Sequence, residues 1–248
     1  MKLITWNVNG IRARQDQVRD LVTLEQPDVI CLQEIKASPE KVPALLLSVD
    51  DYWGCWHGAG GYSGVALLVR RGYCADQPEF VHPPCDIEHR LVVAALGEVT
   101  VASVYVPNGG KDYEGKLRFL DALTAWLDEV QPARRPFVLC GDINIAREDR
   151  DVHPKERKPN QIGTREEERA RLAGLMERGL LDVGRRLDPD NDQLFTWWAP
   201  WRNLRQRNIG WRIDYVLASP SLAERARTAE SRRTFGTSDH APVLVTFS

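Results

Sequence analysis

The sequence contains no apolar run that approaches the roughly 18 residues needed to span a bilayer. Its opening stretch, MKLITWNVNG, turns polar after Trp6, which fits neither an anchor nor a signal peptide. The expectation is a soluble, cytoplasmic protein with no membrane partner. Its five cysteines (Cys31, Cys55, Cys74, Cys85 and Cys140) include no C-x-x-C, which argues against a disulfide framework and against a zinc ribbon. They are expected to be reduced thiols acting as small apolar side chains. Neither sign of charge is in excess. The 33 Lys and Arg residues against 35 Asp and Glu give a formal net charge of -2, so bulk electrostatics would not draw the chain onto a polyanion. No linker rich in Gly, Ser or Pro and no fixed-period repeat interrupts the 248 residues.

What is present is ample core material: 43% hydrophobic and 27% charged residues exclude disorder as a description of the whole. Short β-type runs recur at KLITW (2 to 6), DVICL (28 to 32), YWGCW (52 to 56), GVALLV (64 to 69), LVVAAL (91 to 96), VTVASVYV (99 to 106), FVLC (137 to 140), IDYVLA (213 to 218) and PVLVTF (242 to 247). Helical spacing is clearest over 115 to 130, where Leu117, Leu120, Leu123, Trp126, Leu127 and Val130 share a face and Lys116, Asp121, Asp128 and Glu129 are left for solvent. Further helices are expected over about 165 to 178 and about 16 to 25. Helices scattered among many strands predict a single α/β domain, 1 to 248, built as a two-sheet sandwich flanked by helices. Residues 142 to 164 lack a strand signal and form a candidate functional loop.

Polar residues cluster where the apolar runs end. Asn7 and Asn9 follow KLIT, Gln33-Glu34 follows DVICL, Asp142 and Asn144 follow FVLC, and Ser238-Asp239-His240 precedes APVLVTF. Strand ends on one rim can bring together residues from distant parts of a chain. Carboxylate and amide oxygens without thiolates suit a hard cation such as Mg²⁺, which keeps waters and takes substrate phosphate oxygens. Glu34 is the first candidate ligand, with Asn7 and Asp239 near it. His240 cannot share a strand face with its neighbour Asp239, so its partner is another carboxylate, which sequence alone does not assign. Its expected work is to donate to a phosphate oxygen or exchange a proton with it. His57, His82, His89 and His153 lack metal-ligand spacing and are expected to be surface or hydrogen-bonded structural histidines.

The order Asn7, Glu34, Asp142 with Asn144, Asp214, Asp239-His240 resembles the endonuclease/exonuclease/phosphatase superfamily, with its four-layer, DNase I-like fold. WNVNGIRAR (6 to 14), LQEIK (32 to 36), GYSGVALL (61 to 68), YVPNG (105 to 109), GDINIA (141 to 146), FTWW (195 to 198), NIGWRIDYVLAS (208 to 219) and SDHAPV (238 to 243) resemble the exonuclease III type of abasic-site endonuclease. The resemblance implies a Mg²⁺-dependent monomer, with Mn²⁺ a substitute. Its partner would be double-stranded DNA containing abasic sites. It would cut 5′ to the abasic site, leave a 3′-hydroxyl, and act as a 3′-phosphodiesterase and 3′-to-5′ exonuclease. The alternatives are a lipid or inositol phosphoesterase of the same superfamily and a non-catalytic DNA-damage-binding module.

The same resemblance gives roles to residues. Asp142 would orient or deprotonate the attacking water, Asn144 would position it, Tyr105 would touch the scissile phosphate, and Asp214 would orient His240. Glu34, with Asn7 and Asp239, would hold the metal, and Asp142, Asn144 and His240 offer a second metal position. Substrate would meet Asn9, Asn108, Lys111, Asn160, Trp197, Trp201, Trp211, Arg212 and Ile213, with Trp197, Trp211 and Ile213 walling a pocket for the extruded sugar. Lys111 and Trp201 stand where the family inserts side chains into the duplex, and a Trp there is a departure. Thr164, Glu166 and His89 depart where an aromatic, a proline and a glycine are usual.

The segment from Asp192 to Asp214 encloses 21 residues without an acid, among them Arg202, Arg205, Arg207, Arg212, Trp197, Trp198, Trp201 and Trp211. Basic groups interleaved with aromatics can meet phosphates and stack on bases or sugars, while Trp198 is expected in the core.

Overall fold

The computed structural model describes residues 1–47 and 51–248. Twelve strands among these residues form two six-stranded sheets. The first runs β11 (Ala226–Ser231), β12 (Val243–Phe247), β1 (Lys2–Asn7), β2 (Val29–Gln33), β4 (Val65–Arg70), β3 (Tyr52–His57). The second runs β5 (Phe80–Val81), β6 (Leu91–Leu96), β7 (Val99–Tyr105), β8 (Phe137–Asp142), β10 (Asp214–Ala218), β9 (Leu181–Asp182).

The apolar runs are nearly continuous because both faces of each sheet are covered. Leu3, Val29, Cys31, Val65 and Leu67 join Val101, Val138, Cys140 and Val216 in the core between the sheets. Their chain neighbours Ile4, Ile30, Leu32, Ala66 and Leu68 point the other way, onto Val18 and Leu21 of the helix Ile11–Glu25. On the outer face of the second sheet, Ala102, Val104, Leu139 and Leu217 meet Phe119, Leu120, Leu123 and Leu127 of the helix Tyr113–Val130, with Leu172 and Leu175 of the helix Glu166–Glu177. The layers are therefore helix, sheet, sheet, helix, as expected. All five cysteines are free.

Every run expected to be a strand is one. Missing from that expectation are β5 and β9, of two residues each, and β11, whose ARTAES sequence is a partly exposed edge strand. The first helix starts at Ile11 rather than near residue 16. Lys116 is a correction: it is fully buried, and its ammonium is paired at 2.5 Å with the equally buried Glu168 carboxylate. No helix of the described residues is long and apolar enough to cross a membrane.

Connectivity puts the polar strand ends on one rim. β1 and β2 are parallel, as are β7 and β8, and each pair is joined through a helix that returns the chain to the same end of the sheet. The carboxyl ends of β1, β2, β7 and β8 thus share a rim, with Asn7 opposite Gln33 and Tyr105 opposite Asp142. β10 runs antiparallel to β8 with Asp214 facing Asp142, and β12 runs antiparallel to β1 with Val243 facing Thr5. Asp214 and the residues before β12 therefore arrive at the same rim. Only glycine fits before Asp142, since a Cβ on Gly141 would collide with the Val104 carbonyl oxygen and its φ is 144°.

Candidate active site

Asn7 is the bridge between the sheets. Its buried side-chain NH₂ donates to Glu34 Oε1 and to Asp142 Oδ2, each at 2.9 Å, and its Oδ1 accepts from the Asn9 N–H at 2.9 Å. Glu34 leaves the end of β2 with φ 51°, as Asn9 (44°) and Asn144 (55°) leave β1 and β8. Asparagine tolerates this left-handed region, whereas Glu34 is held in it under strain. Lys36 donates to Glu34 Oε2 at 2.7 Å and to Asn9 Oδ1 at 2.6 Å. Burial alone would raise the Glu34 carboxyl, but hydrogen bonds from Asn7 and Lys36 hold it below its usual range.

Asp142 is 1% exposed and accepts from the Asn144 backbone N–H at 2.9 Å and from its side-chain NH₂ at 3.0 Å. His240 is 4% exposed; its Nδ1–H donates to Asp214 Oδ2 at 2.9 Å, and its Nε2 lies 3.8 Å from Asp142 Oδ2. Thr196 fixes Asp214 by donating its hydroxyl to Oδ2 at 2.6 Å. Burial pushes Asp142 up to about 8, the His240 charge opposes this, and the Asp214 and Glu34 carboxylates add to it. Burial disfavours the His240 cation, but Asp214 and Asp142 more than reverse this and raise it to about 10.

Glu34, Asp142 and His240 each offer a ligand atom, all within 4.8 Å of one another. The oxygen-rich set fits a hard divalent ion, which would replace protons now favoured by crowded carboxylates. Asp239 stands outside this trio: its Oδ1 accepts from Asn9 Nδ2 at 2.9 Å and its Oδ2 from Trp197 Nε1 at 3.0 Å. Burial would raise its carboxyl, but the His240 charge, with the Trp197 and Asn9 donors, holds it below the usual range.

These groups open into a cleft of about 350 Å³ lined by Glu34, Asp142, Asn144, Asp239 and His240 together with Trp197, Trp211, Ile213 and Asn108. The Trp197 and Trp211 rings meet edge to face, centroids 6.1 Å apart. A neighbouring cleft of about 310 Å³ shares Asn108 and holds Tyr105 and Lys111. Tyr105 is 6% exposed beneath the Arg90 guanidinium, and burial together with the Glu34 and Asp142 charges raises its phenol well above the usual range. Trp201 is 58% exposed, whereas Trp198 is buried, as expected.

Two expectations need correction. Arg212 does not reach substrate: it is 4% exposed, with Nε donating to Asp151 at 2.8 Å and its terminal nitrogens to Asp182 at 3.0 and 2.7 Å. Arg205 is likewise engaged, donating to the carbonyls of Arg233 and Phe235, each at 2.6 Å, and to that of Ser238, which fastens the turn leading into Asp239 and His240. Asn160 is exposed and lies outside the 350 Å³ cleft, beside Arg157 and Lys158. Thr196, Lys36 and the Lys116–Glu168 pair were not singled out by sequence. Thr196 and Lys36 lie within the motifs FTWW and LQEIK; Lys36 stands two residues from Glu34, which was the available signal, whereas Thr196 is 18 residues from Asp214. Lys116 carried none, since its partner lies 52 residues away.

The sequence profile of the Endonuclease/Exonuclease/phosphatase family matches residues 4–240, from β1 to the His240 imidazole. The chain belongs to this family. Exodeoxyribonuclease of Bacillus subtilis (strain 168) is 34% identical over 250 residues, covering 98% of each chain. Recombination repair protein 1 of Drosophila melanogaster is 32% identical over 261 residues, and the match takes in 100% of this chain but 37% of that protein. The structure of an AP endonuclease from Archaeoglobus fulgidus matches with a TM-score of 0.90 and 30% identity, covering 100% of this chain and 99% of that one. The exonuclease III-type resemblance and the DNase I-like two-sheet fold are both borne out. The chain is thus a hydrolytic phosphodiesterase, from a group that depends on divalent metal.

Proposed function

We propose that this protein is a Mg²⁺-dependent DNA repair nuclease that hydrolyses the phosphodiester 5′ to an abasic site and leaves a 3′-hydroxyl, with 3′-phosphodiesterase and 3′-to-5′ exonuclease activity. One observation carries the reading: the Glu34–Asp142–His240 group and the apolar wall of Trp197, Trp211 and Ile213 face one cleft. A phosphodiester held at the acidic end would place an adjoining sugar against that wall. An abasic nucleotide has little stacking to lose on leaving the duplex, and the small apolar wall disfavours an intact base.

Asp142 accepts the proton of the attacking water and Asn144 holds that water in line; the water oxygen bonds to phosphorus as the P–O3′ bond breaks, and the departing 3′-oxygen takes a proton from solvent to become the 3′-hydroxyl. The His240 Nε2, its ring fixed through Nδ1 by Asp214 and Thr196, donates to a phosphate oxygen as charge grows there. Tyr105 gives a second donor, its phenol hydroxyl. Glu34, with Asp142 and Asn7 beside it, would hold the Mg²⁺, which when bound supplies positive charge against the phosphate. Lys111 and Trp201 would enter an opened duplex, and their exposure supports this.

The test compares a fully paired duplex, the same duplex with one abasic analogue, and a lipid phosphodiester, each with Mg²⁺ and with EDTA. Incision of the abasic duplex in Mg²⁺ alone is expected. Lipid hydrolysis without DNA incision, or abasic binding without any cleavage, would overturn the proposal.

A further inference from the structure

Cys55, His57, His82 and Asp86 lie apart in the chain, and their spacing signals no metal site. The fold brings them together. β3 and β5 are edge strands of different sheets, and contacts of Cys55 with His82 and of His57 with Asp86 bring the two edges together. Cys55 and His57, two apart on β3, share a face, and Cys55 packs against the core between the sheets. His82 and Asp86 lie on the connection from β5 to β6.

We propose that these four residues form a second metal centre, for a zinc-like divalent transition ion, which clips the two sheets together at this edge. One ligand atom each from His57, His82 and Asp86 lies within 4.8 Å of the others, and Cys55 Sγ is 4.0 Å from His82 Nε2. The His57 and His82 rings are stacked at 3.7 Å, and His57 Nε2 is 2.5 Å from Asp86 Oδ2.

The surroundings orient His82 and Asp86 toward His57. His82 Nδ1 faces the Leu91 carbonyl oxygen at 3.3 Å, which sets it as the donor and leaves a lone pair on Nε2. Asp86 Oδ1 accepts the backbone N–H groups of Arg90 and Leu91 at 2.6 and 2.8 Å, so Oδ2 is the oxygen that faces His57. Two imidazoles, a carboxylate and a thiol are a donor set for zinc, not for Mg²⁺. Tetrahedral coordination needs ligand atoms roughly 3.4 Å apart, so metal entry must part His57 Nε2 from Asp86 Oδ2, now at 2.5 Å, and turn the exposed His82 ring out of its stack on His57. None of the four lines the catalytic cleft, which makes the centre separate from the Glu34 group.

The test keeps the full-length protein in excess Mg²⁺ and titrates Zn²⁺ against a chromophoric chelator, using wild type, His82→Asn, Cys55→Ser and Glu34→Gln. Wild type and Glu34→Gln should each retain one equivalent, and His82→Asn should bind at least on the order of 100-fold more weakly. Zn²⁺ should raise the melting temperature of wild type but not of His82→Asn, with the two matching in EDTA as the folding control. Co²⁺ should give a thiolate charge-transfer band that Cys55→Ser loses. No retained Zn²⁺, retention equal in His82→Asn, loss in Glu34→Gln, or identical cobalt spectra with and without the thiol would each overturn the proposal.

Discussion

The buried pair of Lys116 and Glu168 supports three segments at the cleft, and removing one charge should show this. The Lys116 ammonium donates to Glu168 Oε1 at 2.5 Å, to the Asn144 carbonyl at 2.8 Å and to that of Asn108 at 3.5 Å. Glu168 in turn accepts from Gly163 N at 3.0 and 2.8 Å and from Arg165 N at 3.1 Å. Lys116→Met keeps the volume but strands a carboxylate in a site with no solvent exposure. Breaking a buried pair from one side costs about 3–5 kcal/mol. Because the backbone donations to Glu168 survive, the loss belongs near the lower end, about 3 kcal/mol. At about 2–4 °C per kcal/mol for a domain of this size, the melting temperature should fall by about 6–12 °C. Urea unfolding of Lys116→Met, Glu168→Gln and the double variant closes a cycle in which the double loses less than the sum of the singles, with a coupling of about 2 kcal/mol. Turnover should fall as well, since Asn144 loses its anchor. A loss under about 1 kcal/mol in Lys116→Met, or additive singles, would refute the assignment of this pair as a buried strut.

Asp142→Asn and His240→Asn should each lower turnover by on the order of 100-fold or more while abasic-DNA binding stays measurable; single-turnover cleavage beside an equilibrium binding assay checks this, and unchanged cleavage in both counts against the site. Burial would raise Asp151, but the Arg212 and Arg185 guanidinium groups hold it below the usual carboxylate range. A depressed folded value means stability that is full above the unfolded value of about 3.9 and lost as pH falls through the folded one. Asp151→Asn should therefore melt lower at neutral pH and show a flatter pH dependence below about pH 4; parallel melting curves across that window would contradict the pairing. With Arg205 and Arg212 engaged internally, Arg202 and Arg207 are the cations of the acid-free segment left to meet phosphate, and neutralising either should lower the slope of log affinity against log salt by roughly 1. A parent slope steep enough for many contacts would show that the DNA grip is broader than this.

How much could be read in advance divides along physical lines. Eight of the nine strands that were legible are runs buried on both faces, where apolar content alone marks them, and the ninth, the half-exposed edge strand β3, is marked by its aromatics. β5 and β9 are too short to carry a period, and the charged β11 is a strand because β12 offers it an edge. The site was legible as a set of strand ends, because parallel pairs joined through helices bring those ends to one rim. Residue spacing did not give the pairings within it: that Asp214 orients His240 came from the family resemblance, and that Asn7 holds Glu34 and Asp142 together follows from how one sheet is stacked on the other. The same limit explains the arginines. A stretch of 21 residues without acid looks like a run of free cations. Yet Arg212 meets Asp151, 61 residues earlier, and Asp182, 30 residues earlier, both outside that stretch. Lys116 and the histidines of β3 and the β5–β6 connection fail to stand out for the same reason, each having partners on another element. A net charge of -2 therefore says little about docking. What counts is which cations the fold leaves unpaired beside the cleft, and tertiary pairing decides that.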